Sequence, residues 1–313
     1  RKWPSSKAQR QLILQPLPMP NECAHGIAYL GPQGTFSQLA AIRFFSVEDE
    51  ASSMQACSSI EEVFQRVQDG EVEYGVVPVE NSTEGAVNNT QDCLLSTPLH
   101  IVGETVLPIQ HNLLCAPNAG PDQLHTVASH KQSLAQCRDW LEAHFPQLTR
   151  RECASNAQAA EAARDEPGVA AIAGEFAAGI YGLQVLAASI QDHSHNSTRF
   201  LILHRQPDAQ ERRDASVPSD LPRKTSLLVA TQNKPGALYA LLGPFDHLQL
   251  DLAKIEARPS KKRAWEYVFF IDFLSLDSEQ SKVDELLRAL RPLTTSLRIL
   301  GSYSAAQNVS AND

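Results

Sequence analysis

Between residues 26 and 204, apolar runs of strand length alternate with segments of helical period, and this alternation limits the fold more than any other feature. GIAYLG (26–31) is followed by the helical stretch Phe36–Phe45, a helix from Ile60 with Ser59 and Glu62 spaced as a capping box, and EYGVVPV (73–79). The pattern continues with HIVGETVLPI (100–109), TVAS (126–129), a helix over 133–145, an alanine-rich helix over 157–164, GVAAIAG (168–174) and TRFLILHR (198–205). Such alternation predicts parallel strands covered by helices. So many elements suit an α/β body of two lobes, roughly 26–103 with 190–204 and 104–189. A ligand cleft is expected between the lobes, beyond the carboxyl ends of the strands.

RQPDAQERRDASVPSDLPR (205–223) breaks the periodicity with three prolines and charges of both signs, and reads as a linker. After it come KTSLLVATQ (224–232), a helix over 236–245, LDLAKIEAR (250–258), AWEYVFFIDF (264–273), a helix over 282–290 and SLRILGSY (296–303). That order is βαββαβ, the ferredoxin-like plan, over 224–304. Residues 1–25, with four prolines between 4 and 20, read as a flexible tail, and 305–313 as a polar end. The 36 acidic and 27 basic residues give a net charge of −9, which argues against nucleic acid and anionic membranes as partners. The longest apolar stretch, 170–188, is broken by Glu175, Gln184 and glycines, short of the ~18 residues a membrane helix needs. Six irregularly spaced cysteines with no CxxC pair, and no visible secretory leader, predict reduced thiols and a cytoplasmic location.

Four segments could carry chemistry. GPQGTFSQ (31–38) follows a strand and opens a helix, so Thr35 and Ser37 sit at a positive helix end suited to a carboxylate. A tight turn capped by Ser37 is the plainer reading. The segment is neither GxGxxG nor a Walker loop, so nucleotide binding has little support. VPVENSTEG (77–85) delivers Glu80, Asn81, Ser82 and Thr83 from a strand end, either into the cleft or into an Asx-type turn. In ASHKQSLAQC (128–137), Ser129 stands before a helix on which Gln132 and Gln136 share a face. Ser129 and His130 are not a nucleophile and base, because neighbours on extended chain face opposite ways and no GxSxG elbow is present. QDHSHNSTRF (191–200) gathers His193, His195, Asn196, Thr198 and Arg199. Its HxH pair lacks a further ligand cluster and reads as a loop. Thr198 and Arg199 face opposite ways, one toward the cleft and one toward supporting carboxylates.

Taken in order and at these separations, GPQGTFS, VPVENSTEG, SHKQSLAQC and NSTRFLI (196–202) resemble the prephenate dehydratase family. NKPGAL (233–238) and IEARP (255–259) are similar to the ligand-loop and ESRP motifs of an ACT regulatory module, and LRILGSY (297–303) to its closing strand. The resemblance implies a two-lobed catalytic body like the periplasmic binding proteins, followed by the ACT module. It implies conversion of prephenate to phenylpyruvate, with feedback by phenylalanine and no cofactor or metal. Thr198 would then aid departure of the hydroxyl, with Glu80 a second proton source if burial favours its neutral form. Thr35, Ser37, Asn81, Ser82, Ser129, Gln136, Asn196 and Arg199 would surround the substrate. Asn233, Gly236, Ala237 and Leu238, with Glu256, Ala257, Arg258 and Pro259, would bind phenylalanine between two such modules, which implies a homodimer or homotetramer. Ala257 stands where the pattern has a hydroxyl residue. Residues 1–25 are too short and proline-rich for the chorismate mutase domain that many relatives carry in front, and a start at Arg1 leaves open whether one preceded them. Arogenate dehydratase and a non-catalytic solute-binding protein are the alternatives.

Overall fold

The computed structural model describes residues 26–47, 53–193, 195–206, 222–261 and 266–306. The expected tail 1–25, and most of the linker and of the polar end, lie outside the described residues. In chain order the first lobe holds β1 (Ile27–Leu30), α1 (Phe36–Phe45), β2 (Met54–Cys57), α2 (Ile60–Asp69), β3 (Tyr74–Asn81), the short β4 (Gly85–Ala86), α3 (Asn88–Ser96) and β5 (His100–Pro108). The second holds β6 (Asn112–Cys115), β7 (Thr126–His130), α4 (Lys131–Gln136), α5 (Arg138–His144), β8 (Thr149–Cys153), α6 (Asn156–Asp165), β9 (Val169–Ala173), α7 (Glu175–Tyr181) and β10 (Gln184–Ala187). The chain then returns as β11 (Ser197–His204) to the first sheet, whose order is β2-β1-β3-β11-β5, while the second runs β10-β6-β9-β7-β8.

Three expectations need correction. The sheets are mixed, not purely parallel. β11 is antiparallel to both β3 and β5, because it re-enters the first sheet from the second lobe, and β6 is antiparallel to both β9 and β10. β5 stays in the first sheet through Pro108, so the crossover falls at 109–111 and not at 103. The helix expected over 133–145 is two helices that meet at Cys137. Asp192 explains the break: its carboxylate accepts from the amides of Asp139 and Trp140, and its own amide donates to the Gln136 carbonyl. A loop residue thus satisfies the first N–H groups of α5, a tertiary cap that the local sequence does not carry.

The cores follow the two periodicities. On β11, Phe200 and Ile202 face α1 with Ala40, Ala41 and Phe45, whereas Leu201 and Leu203 face the opposite side with Val63, Phe64 and Val67 of α2. In the second lobe, Ala159, Ala160 and Ala163 let α6 lie close on Ala128 and Ala171 of the sheet. α2 starts as expected, with Ser59 Oγ accepting from Glu62 N. Glu62, however, reaches one residue further back, to the amide and hydroxyl of Ser58.

A third unit contains β12 (Arg223–Ala230), α8 (Ala237–His247), β13 (Asp251–Pro259), β14 (Tyr267–Ser275), α9 (Gln280–Leu290) and β15 (Ser296–Ser304). Its antiparallel sheet has the order β13-β14-β12-β15. One face, through Leu227, Val229, Ile271 and Phe273, carries the helices. The other, through Leu228, Ala230, Phe270 and Leu300, packs against the first lobe. The approach is close enough that a Cβ on Gly301 would lie 1.9 Å from the Ile101 carbonyl oxygen, so no larger residue fits there without moving the backbone.

Candidate active site

A cavity of about 570 Å³ opens between the lobes. Three helix starts face it. Thr35, Phe36 and Ser37 begin α1, His130 and Gln132 begin α4, and Ser155 and Asn156 begin α6. Thr35 and Ser155 are N-caps whose hydroxyls accept from Gln38 N and Gln158 N. The loop before α1 is held against the second lobe. Tyr181 Oη donates to the Gln33 carbonyl at 2.8 Å, and Gly34, at φ +83°, has no room for a side chain beside the Tyr181 ring. None of the lining residues is a lysine or arginine, and Glu161 is the one carboxylate among them. Recognition of an anion here falls to amides, hydroxyls and helix ends.

The floor of the cavity is a hydrogen-bond network whose directions can be assigned from its fixed backbone donors. Asn81 Oδ1 accepts from the amides of Thr83 (3.0 Å) and Glu84 (3.1 Å), so Asn81 Nδ2 is the donor end. It donates to Asn196 Oδ1 at 2.8 Å and Thr198 Oγ1 at 2.9 Å. Asn196 Nδ2 therefore donates to Gln136 Oε1 (3.1 Å), and Gln136 Nε2 donates to Thr83 Oγ1 (3.2 Å). Because Thr198 accepts from Asn81, its own hydroxyl hydrogen is left for a partner in the cleft. Gln136, from the second lobe, ties residues of the first lobe and of the return segment together.

Of the residues expected at the site, Thr35, Ser37, Asn81, Gln136, Asn196 and Thr198 line the cavity. Four do not. Ser129 is fully buried, 2.7 Å from the Ile172 carbonyl and 3.0 Å from Asn156 Oδ1, so it supports Asn156 from behind. The His130 amide donates to Asn156 Oδ1 at 3.3 Å, which leaves the amide end of Asn156 as its donor side. Ser82 ties the loop to the return segment through the His195 carbonyl and Ser197 N. Glu80 and Arg199 pair with each other on the opposite side of the sheet, because a strand alternates faces and their neighbours Asn81 and Thr198 take the cleft side. Glu80 also meets Lys254, and Arg199 meets Glu104 and Asp272 at 3.0 Å each. Sequence reasoning missed His111 and Asn156. His111 sits in the crossover just past β5, a place that strand periodicity does not flag, and Asn156 is the first residue of the alanine-rich helix.

In the third unit, Gly236 caps α8 at φ +78° with open space around it, and Asn233 and Leu238 are exposed. β13 is an edge strand that alternates. Lys254, Glu256 and Arg258 face the first lobe, where Gln91 donates to Glu256 and Arg258 meets Asn88 and Asp92, while Ala257 and Pro259 are exposed. No described hydrogen bond joins 233–238 to 256–259. Among the described residues, no group of three His, Cys, Asp or Glu side chains stands ready for a metal. No described helix is long and apolar enough to cross a membrane.

The sequence pattern of prephenate dehydratase matches residues 27–208, both lobes and the return strand. The chain belongs to the prephenate dehydratase family. It is 46% identical over 280 residues to the bifunctional chorismate mutase/prephenate dehydratase of Stutzerimonas stutzeri, spanning 90% of this chain and 73% of that one. Prephenate dehydratase from Arthrobacter aurescens, solved in complex with L-Phe, superposes with a TM-score of 0.78 at 30% identity over 90% of each chain. GqqA, a quorum-quenching acylase, has the same fold, with a TM-score of 0.75 at 27% identity over 89% of this chain and 97% of that one. A shared fold does not set the chemistry. Membership in the dehydratase family makes this chain an enzyme, and it directs attention to the donors of the cleft.

Proposed function

We propose that the cleft converts prephenate and one proton into phenylpyruvate, carbon dioxide and water, a step of phenylalanine biosynthesis. The observation that carries this reading is Thr198, whose oxygen is engaged by Asn81 so that its hydrogen is free to donate. The ring hydroxyl of prephenate leaves as the bond to the ring carboxylate breaks, and that electron pair completes the aromatic ring. Thr198 would hold the departing oxygen by hydrogen bond and relay the proton that makes it water. The helix starts at Thr35–Ser37 and Ser155–Asn156 would take the two carboxylates, which orients the dianion without a cation in the wall.

The third unit reads as a ferredoxin-like ACT module and the lobes as a body like the periplasmic binding proteins. Phenylalanine would bind at the Gly236 helix start and the β13 edge, with a second copy of the module covering the exposed edge. That places Asn233, Ala237 and Leu238, and the exposed Ala257 and Pro259, at the ligand, with Glu256 and Arg258 reporting to the body. Free thiols at Cys57, Cys93, Cys115, Cys137 and Cys153 fit a reducing cytoplasm. The arogenate reading has one observation in its favour: Glu161 in the wall could meet an ammonium group.

Incubating the protein with prephenate at neutral pH and following phenylpyruvate absorbance tests the activity, with arogenate run alongside. Turnover of prephenate is expected, and inertness toward both substrates would refute the reading. Calorimetry with phenylalanine, tyrosine and tryptophan tests the module. Heat with phenylalanine is expected, and none with any of the three would make the module a docking unit.

A further inference from the structure

The network that orients Thr198 has a terminus in a residue that no motif includes. His111 lies in the crossover between β5 and β6, lines the cavity and is 2% exposed. Its Nε2 is 2.8 Å from Gln136 Oε1. The assignments above leave that oxygen only an acceptor's role, since Asn196 Nδ2 already donates to it. Nε2 must therefore carry the hydrogen, and Nδ1 is a bare acceptor with no partner among the described residues. The backbone amide of His111 is tied to Gln191 Oε1, and its ring meets Phe36 edge to face at 6.3 Å, so both the main chain and the ring are seated.

We propose that His111 is a positioning residue for the dehydration. As the neutral Nε2–H tautomer, it anchors the Gln136 carboxamide and, through Asn196 and Asn81, holds the Thr198 hydroxyl in line with the leaving oxygen. The groups packed on it are Phe36 from α1, Gln136 from α4 and Gln191 from the return segment, none of them ionisable. The ionisable residues elsewhere on the cavity wall are His130 and Glu161. Burial pushes His111 below the usual histidine value, and the bond to Gln136 opposes this only in part. Protonation would put a hydrogen on Nδ1 where no described residue offers it an acceptor. The ring would have to leave its seat to reach water, so the active form is the neutral one.

The inference rests on the dehydratase reading, and its test separates the two. If the unaltered protein turns over no prephenate, that reading fails first. With turnover established, His111→Leu is expected to lower kcat by about tenfold or more, with a smaller change in KM, because a misplaced donor costs rate more than binding. His111→Gln keeps a donor near the Nε2 position. It is expected to recover most of the loss and to lack the acid-side fall in kcat/KM that the imidazole contributes. Adding His111→Leu to Thr198→Val should cost almost nothing more, since the positioned group is already gone. Multiplied losses in the double variant, near-normal kcat in His111→Leu, or an acid limb unchanged in His111→Gln would each overturn the proposal. If His111→Leu fails to fold, the pH profile of His111→Gln still decides.

Discussion

One pair of strands builds two opposite environments. β3 and β11 run antiparallel, with Thr198 opposite Asn81 and Arg199 opposite Glu80. On the cleft side the pair carries a neutral network of amides and hydroxyls. On the other side, one residue along, it carries a charge cluster between the first lobe and the third unit. Arg199 lies among Glu80, Glu104 and Asp272, with Lys224 on Glu104 at 2.6 Å, Lys254 between Glu80 and Glu256, and Ser226 joining Asp272 to Tyr303. Burial works against the charge on Arg199, yet Asp272 and Glu104 beside it hold it well above the ordinary arginine value. The Tyr303 hydroxyl is pushed up by burial and by the Asp272 charge. Buried charges suit a junction in which each ion keeps its counter-ion. A cleft that admits a dianion and releases a monoanion needs donors whose strength is modest and whose direction is set. Because Thr198 and Arg199 are consecutive, a change at the junction has a short path to the donor.

The largest effect expected from breaking the contrast is at Arg199. Arg199→Met leaves Glu104 and Asp272 buried without their shared cation, although Lys224 and Ser226 remain, and should cost about 3–5 kcal/mol in denaturant unfolding. A loss under about 1 kcal/mol would mean that the junction is not held by charge. Glu80→Gln should matter much less. Glu80 is part-exposed and off the cleft, so turnover should fall less than about tenfold and stability change by about 1 kcal/mol or less. A hundredfold loss would instead move Glu80 into the chemistry.

The smallest effect is a pH dependence. Burial pushes the Asp92 carboxyl up, but Lys261 and Arg258 more than offset it and hold it below the ordinary value. Its folded pKa is therefore lower than its unfolded one. The stabilisation it brings is present above about 3.9 and is lost as pH falls through the lower folded value. Melting curves across that range should fall more steeply for the unaltered protein than for Asp92→Asn, and parallel curves would remove Asp92 from the junction.

The elements with strong local signals were legible in the sequence, among them α1, although its N-cap is Thr35 and not Ser37, and the apolar runs that form β3, β5, β11, β12 and β14. Those specified by distant partners were not. α3 is polar, and its N-cap, Val87, makes no side-chain cap bond. The helix is fastened by Thr90 on the Pro78 carbonyl and Gln91 on Glu256. The break at Cys137 depends on Asp192, more than fifty positions away. In the site, motif order found the cleft residues on strand and helix ends, and the alternation rule sends Arg199 toward carboxylates, although the family resemblance places it around the substrate. The same rule, applied to Glu80 and Asn81, separates them as well. His111 carried no signal because its role comes from directions within a network that only the fold assembles.

In the proposed reaction a threonine hydroxyl, its oxygen occupied by an asparagine, eases the departure of the leaving group. Thr198→Val keeps the shape and removes only the donor. Steady-state kinetics with prephenate should show kcat at least about 100-fold lower, close to 2.7 kcal/mol of barrier, with KM nearly unchanged. Near-normal kcat in this variant would mean that Thr198 is not the donor to the leaving oxygen.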